Sequence, residues 1–203
     1  SVTRSDLYNK FTQKYLLMNR TFPAFTLLLV LVSNLQANPM SPRKRRIDVH
    51  QLSLNLRFDL TRQFVEGTAT IHFSPLFDTK EVYLDAAYLD VKQVKTLDRK
   101  ELRFTNGANE KDDALKIEFD SILKTGEEIS IQIDYKTLSK NLSDPKNLSG
   151  SFGKGIRFLQ PSLSEPRRRW QAWSIGQPGS NRYWYPCYDA PNDQFVFEMK
   201  ALV

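Results

Sequence analysis

Residues Gln51 to Leu60 read QLSLNLRFDL, and in this stretch Leu52, Leu54, Leu56, Phe58 and Leu60 alternate without a miss against Ser53, Asn55, Arg57 and Asp59. A period of two is the mark of a half-buried β-strand, with apolar side chains inward and polar ones outward. Gly67, Ala69, Ile71 and Phe73 repeat the pattern before Pro75 ends it. A short turn separates the two runs, so they predict an antiparallel hairpin.

The same alternation continues along the chain. EVYLD (Glu81 to Asp85), LDVKQV (Leu89 to Val94) and ELRFT (Glu101 to Thr105) are short strand candidates, the last followed by the Asn106-Gly107 turn signal. ALKIEF puts Leu115, Ile117 and Phe119 on one face, and EISIQIDY does the same with Ile129, Ile131, Ile133 and Tyr135. GIRFLQP adds another strand, and FVFEMKALV begins a last one that Val203 cuts off. No segment carries the periodicity of an amphipathic helix, and nothing repeats at a fixed spacing. The expected fold is all-β, a sandwich or curved antiparallel sheet. From Thr137 to Arg169 the pattern dissolves into Ser, Asn, Gly, Pro and Lys, and within it KNLSDPKNLSGSFGKG (Lys140 to Gly155) predicts a long surface loop. It contains Asn141-Leu142-Ser143 and Asn147-Leu148-Ser149, glycosylation acceptors if the source is eukaryotic.

Charge divides the chain. Of 29 basic and 23 acidic side chains, eight basic and one acidic lie before Ile47, leaving 21 and 22 in the remainder. The body is therefore close to neutral, and without a basic stripe it gives no reason to expect nucleic-acid binding. The basic excess belongs to a leader. From Met18 the chain runs MNRTFPAFTLLLVLVSNLQA, an arginine, an apolar core from Phe22 to Val32 and a small residue at Ala37. This is the pattern of a secretory signal over residues 18–37, which predicts an exported protein. The apolar core is shorter than the ~20 residues that span a bilayer, so no permanent membrane anchor is expected. Residues 1–17 read as upstream or non-native leader, 38–47 as a basic linker, and 48–203 as the β domain.

Chemistry-bearing residues are few. His50 and His72 fall inside predicted strands, away from any H-E-x-x-H pair, and read as ordinary strand histidines. The single cysteine, Cys187, sits among Pro186 and aromatic residues, the setting of a buried structural thiol rather than an activated one. Arg167, Arg168 and Arg169 read as a solvated run. No catalytic residue and no metal ligand is predicted in this chain.

The most specific segment is AWSIGQPGSNRYWYPCYDAPND, from Ala172 to Asp193. It resembles the end of the N-terminal domain of the aminopeptidase N family of zinc metallopeptidases, where W-T-Q-x-[QE] precedes R-x-x-F-P-C-x-D-x-P. Trp173 and Ser174 take the W-T place, and Arg182, Pro186, Cys187, Asp189 and Pro191 fall in register. Tyr185 replaces the usual phenylalanine, Ile175 replaces the first glutamine, and Gln177 occupies the [QE] position. VHQLSLNLRFDLTRQFVEGTATIHF, VYLDAAYLDVKQV, and IQIDYKTL followed by GIRFLQP resemble successive earlier parts of that domain.

The resemblance implies a saddle-shaped β domain lying against a thermolysin-like catalytic domain C-terminal to it. Zinc would be held there by H-E-x-x-H and a later glutamate, motifs that do not occur in these 203 residues. It implies peptide substrates and gives Gln177 a substrate-binding role, its side-chain carbonyl accepting from the free α-amino group. The departure at Ile175 leaves substrate preference open. Two functional readings follow: the N-terminal part of an exported zinc aminopeptidase, or a non-catalytic relative using the same domain to bind proteins. Arg182 and Asp189 are expected to pair across the turn.

Overall fold

In the computed structural model, residues 44–107, 113–138, 155–174, 176 and 179–203 are described. The leader, the signal-like segment, both glycosylation acceptors, Ile175 and Gln177 lie outside them. The described part belongs to one unit, from Pro42 to Val203.

The alternating runs become strands. They are β1 (Ile47–Asp59), β2 (Phe64–Pro75), β3 (Thr79–Asp85), β4 (Leu89–Thr96), β5 (Arg103–Asn106), β6 (Ala114–Leu123), β7 (Ile129–Thr137), β8 (Ile156–Leu159), β9 (Gln171–Ser174) and β10 (Val196–Leu202), with a 3-10 turn at Asn181–Tyr183 before the last. Five strands form one sheet in the order β10-β1-β2-β7-β4, three form a second in the order β3-β6-β5, and β8 pairs with β9. No sheet closes on itself. Leu52, Leu54 and Leu56 from β1, Ile131 and Ile133 from β7, and Leu115 and Ile117 from β6 meet in one core. The all-β expectation holds, with β9 the one strand that the aromatic-rich sequence hides.

Two local features refine it. Ile47 and Val49 are buried at odd positions of β1, whereas Leu52, Leu54 and Leu56 are buried at even ones. A single strand achieves this only by inserting a residue, and the β1–β2 register does shift between Val49 and Gln51. The bulge re-phases the strand so that both sets face the core. On the partner strand Gly67 lies opposite Leu56, and a Cβ there would fall 2.1 Å from the Asn55 carbonyl oxygen. Only glycine fits so close an approach at a φ of +155°.

The last strand departs from the antiparallel rule. β10 pairs with β1 in parallel, Phe197 beside Leu52 and Met199 beside Leu54. The long connection through β8, β9 and the aromatic turn makes this possible, since a tight hairpin can deliver only an antiparallel neighbour.

Candidate functional site

The segment from β9 to β10 is built round Arg182. Tyr183, Trp184, Tyr185, Pro186, Cys187, Tyr188 and Asp189 are buried in succession, an uncommon density of bulky side chains for a non-repetitive stretch. Trp184 meets Tyr185 edge to face at 4.5 Å between centroids, and Tyr88 stacks on Tyr183 at 6.1 Å. Such rings bury large apolar areas but leave backbone polar groups needing partners.

Those partners come from the second sheet. Cys187 and Asp85 exchange both backbone hydrogen bonds, Asp85 N to Cys187 O at 2.7 Å and Cys187 N to Asp85 O at 3.1 Å. Ala87 N donates to Arg182 O at 2.9 Å, and Asp189 N donates to Asp85 Oδ2 at 2.8 Å. The Arg182 guanidinium then joins three carboxylates. Its Nε lies 3.2 Å from Asp189 Oδ2, and its Nη1 lies 3.3 Å from Asp85 Oδ1 and also bonds Asp113 Oδ2. Burial alone disfavours the cation, but Asp85, Asp113 and Asp189 outweigh it, so Arg182 holds its proton more tightly than a free arginine. The planar fork suits this role because it offers several donors in fixed directions. The expected Arg182–Asp189 pair is present; Asp85 and Asp113, which extend it into a network, were not anticipated.

Further contacts fasten the corner to β1. Val49 N donates to Asp193 Oδ2 at 3.0 Å, and Arg45 Nη2 lies 3.1 Å from Asp193 Oδ1. Gly155 N donates to Ser180 O at 3.0 Å, joining the start of β8 to the same corner. In β9, Trp173 lies under the Arg157 guanidinium at 5.6 Å. Cys187 is 3% exposed, in keeping with an inert, structural thiol.

Chemically, this corner is a support rather than a reaction centre. Gln177, the predicted substrate-binding residue, lies outside the described residues, between β9 and the Arg182 network. Of the described residues on either side, those before it pair in β8–β9 and those after it join the Arg182 network.

The histidines sit elsewhere. His72 on β2 is held at both ring nitrogens, Nδ1 by Ser130 Oγ at 2.8 Å and Nε2 by Glu128 Oε2 at 2.7 Å. It borders a shallow cleft of about 360 Å³ with Gln51, Ser53, Thr70, Leu97 and Ser130. The Ser130–His72–Glu128 trio superficially suggests a hydrolytic relay. However, His72 and Ser130 face each other across the β2–β7 ladder, so their contact is a cross-strand pair within the sheet. Among the described residues, no three His, Cys, Asp or Glu side chains converge to hold a metal ion. The described residues do not fit a zinc site.

The profile of the peptidase M1 N-terminal domain matches residues 46–202. No curated protein sequence matches the chain at a significant level. Among solved structures, the chain resembles a mutant M1 zinc metallopeptidase from Deinococcus radiodurans bound to a Tyr-Ser-Ala substrate, at 20% identity and a TM-score of 0.58, over 79% of this chain and 33% of that one. It also resembles yeast LTA4 hydrolase in complex with bestatin, at 17% identity and a TM-score of 0.61, over 82% of this chain and 25% of that one. The chain thus spans about a third or less of the length of these structures, and at such identities the likeness is one of fold. The profile match extends from the first residue before β1 to the end of β10 and takes in the Arg182 corner, and on it the chain belongs to the peptidase M1 family as an N-terminal β domain.

Proposed function

We propose that this chain is the N-terminal part of an exported zinc metalloaminopeptidase that removes N-terminal residues from peptides. In this reading its β domain supplies one edge of the substrate cleft, and zinc is held by a catalytic domain outside these 203 residues. The observation that carries it is the family match over residues 46–202. The signal-like stretch from Met18 to Ala37 supports export, and Gln177 in the [QE] position supports the cleft role.

The physical task of this domain is positioning. An α-ammonium stripped of water needs acceptor oxygens, and the Gln177 side-chain carbonyl supplies one without adding charge.

The test begins with the coding sequence beyond Val203, which is expected to encode H-E-x-x-H and a later glutamate. In that longer protein, Gln177→Ala should lower kcat/KM on aminoacyl substrates by roughly 10- to 100-fold, the worth of one hydrogen bond to a charged group. The loss should be much smaller on substrates with a blocked or absent amine. A longer protein without aminopeptidase activity, or a Gln177→Ala enzyme with unchanged kinetics, would refute the proposal. Export is checked separately by N-terminal sequencing of the secreted product, which should begin at Asn38.

A further inference from the structure

The basic run Arg43 to Arg46, RKRR, stands directly before β1. Its last two arginines are fastened to the fold. Arg45 bonds Asp48 Oδ1, its Nε donates to Ile47 O at 3.3 Å, and its Nη2 lies 3.1 Å from Asp193 Oδ1. The Asp193 side chain is 1% exposed and also accepts from Val49 N at 3.0 Å. The Arg46 guanidinium lies over both Phe77 and Tyr83, 5.5 and 5.4 Å from their ring centroids. The Arg46 carbonyl oxygen accepts from Leu76 N at 3.0 Å.

Two adjacent arginines preceded by a lysine suit an endoprotease whose subsites are built for cationic side chains. Such an enzyme needs the segment free to enter its groove and the scissile carbonyl oxygen free to enter its oxyanion hole. In the folded chain the Arg46–Ile47 bond meets neither condition. Its oxygen is taken by Leu76 N, and Ile47 and Val49 beyond it are 2% and 3% exposed. We propose that Arg45-Arg46 is a cleavage site for an endoprotease selective for paired basic residues, and that completion of the fold protects it. The cut adds water across the Arg46–Ile47 C–N bond, leaving a carboxylate on Arg46 and an ammonium on Ile47.

The order of the partners along the chain gives this protection a use. Asp193 lies 144 residues beyond Val49, so the basic run is synthesised long before the residue that holds it. The site stays cleavable until the aromatic corner has brought Asp193 to β1. A chain that fails to form the corner is then cut, and an intact N-terminus marks a finished domain. The protection belongs to this domain alone and requires no catalytic partner.

The experiment is brief digestion of the full chain with a serine endoprotease selective for paired basic residues. Mass spectrometry reads peptides ending at Arg46 and, as a reference, cuts within Arg167 to Arg169, where Arg167 and Arg169 are exposed. Relative to that reference, native wild type should be cut after Arg46 at least about a hundredfold more slowly than the chain in urea, because cleavage follows the population of the open form. Arg45→Lys keeps a basic pair but loses the fork, and Asp193→Asn loses the counter-charge. Each should speed the cut after Arg46 at least about tenfold with the reference cut unchanged. The Arg45 side chain is 29% exposed, so Arg45→Lys leaves the core intact even where Asp193→Asn loosens the corner. A native chain cut after Arg46 as readily as the unfolded one overturns the proposal. So does an unfolded chain that is not cut there, or an Arg45→Lys chain that resists like wild type.

Discussion

Replacing Arg182 with methionine tests whether the aromatic corner is held by a buried charge network. Methionine keeps the length and much of the apolar stem but removes the cation and its donors. The carboxylates left behind are not equivalent: the Asp85 and Asp189 side chains are 4% and 3% exposed, whereas Asp113 is 29% exposed. Two nearly water-free carboxylates would lose their main counter-charge, although Asp85 still accepts from Asp189 N. Breaking a buried pair in this way costs about 3–5 kcal/mol. For a domain of this size that corresponds to a fall in Tm of roughly 6–20 °C, a large share of a typical stability of about 5–15 kcal/mol. Urea denaturation of the chain followed by tryptophan fluorescence reads the effect directly, since Trp184 is in the corner. Arg182→Lys should fall between, retaining charge but losing the fork. Asp113→Asn should cost no more than about 1 kcal/mol, because water can solvate its partner's free donor. A cost below about 1 kcal/mol for Arg182→Met, or an equal cost for Asp113→Asn, would refute the reasoning.

Further outcomes follow from single contacts. Gly67→Ala drives a Cβ to within 2.1 Å of the Asn55 carbonyl at a positive φ, so it should destabilise the β1–β2 hairpin by at least about 2 kcal/mol in urea titrations. Tyr135 is 2% exposed, and its hydroxyl has no hydrogen-bond partner among the described residues, so Tyr135→Phe should be neutral or stabilise by up to about 1 kcal/mol. Burial, then Cys187 and Tyr185, holds the Tyr135 phenol well above its ordinary pKa. Its contribution is therefore complete below the unfolded value of about 10 and falls as pH rises past it, and alkaline melts of Tyr135→Phe should decline less steeply than wild type. The Asp78 carboxyl is pulled down to about 2 by the Lys124 hydrogen bond first and the Thr125 N–H next. That stabilisation is present above the unfolded value of about 4 and is lost as pH falls toward 2, so the melting difference between wild type and Asp78→Asn should shrink over that window.

The strands were legible because burial on one face writes itself into a period of two, and β1, β2, β6 and β7 all do so. The Arg182–Asp189 pair was legible because both residues lie in one short turn. Asp113 was not, being 69 residues from Arg182 in a part of the chain with no motif of its own. The bulge near His50 shows in hindsight as a change from odd to even buried positions, yet alternation alone does not say which strand absorbs the extra residue. β9 is four residues long and carries Trp173, so turn and aromatic signals masked its pairing with β8.

The sequence by itself determined the all-β class, the neutral body behind a basic leader, and the family-like pattern from Trp173 to Pro191. These depend on local periodicity, local charge and a contiguous motif, each contained in a few tens of residues. Only the tertiary structure decided that Asp85 and Asp113 complete the Arg182 network, that Gly67 is crowded by Asn55, and that β10 returns parallel to β1. Those are contacts between distant segments, set by how two sheets share one core, and no local pattern encodes which distant carboxylate or strand will arrive beside a given residue.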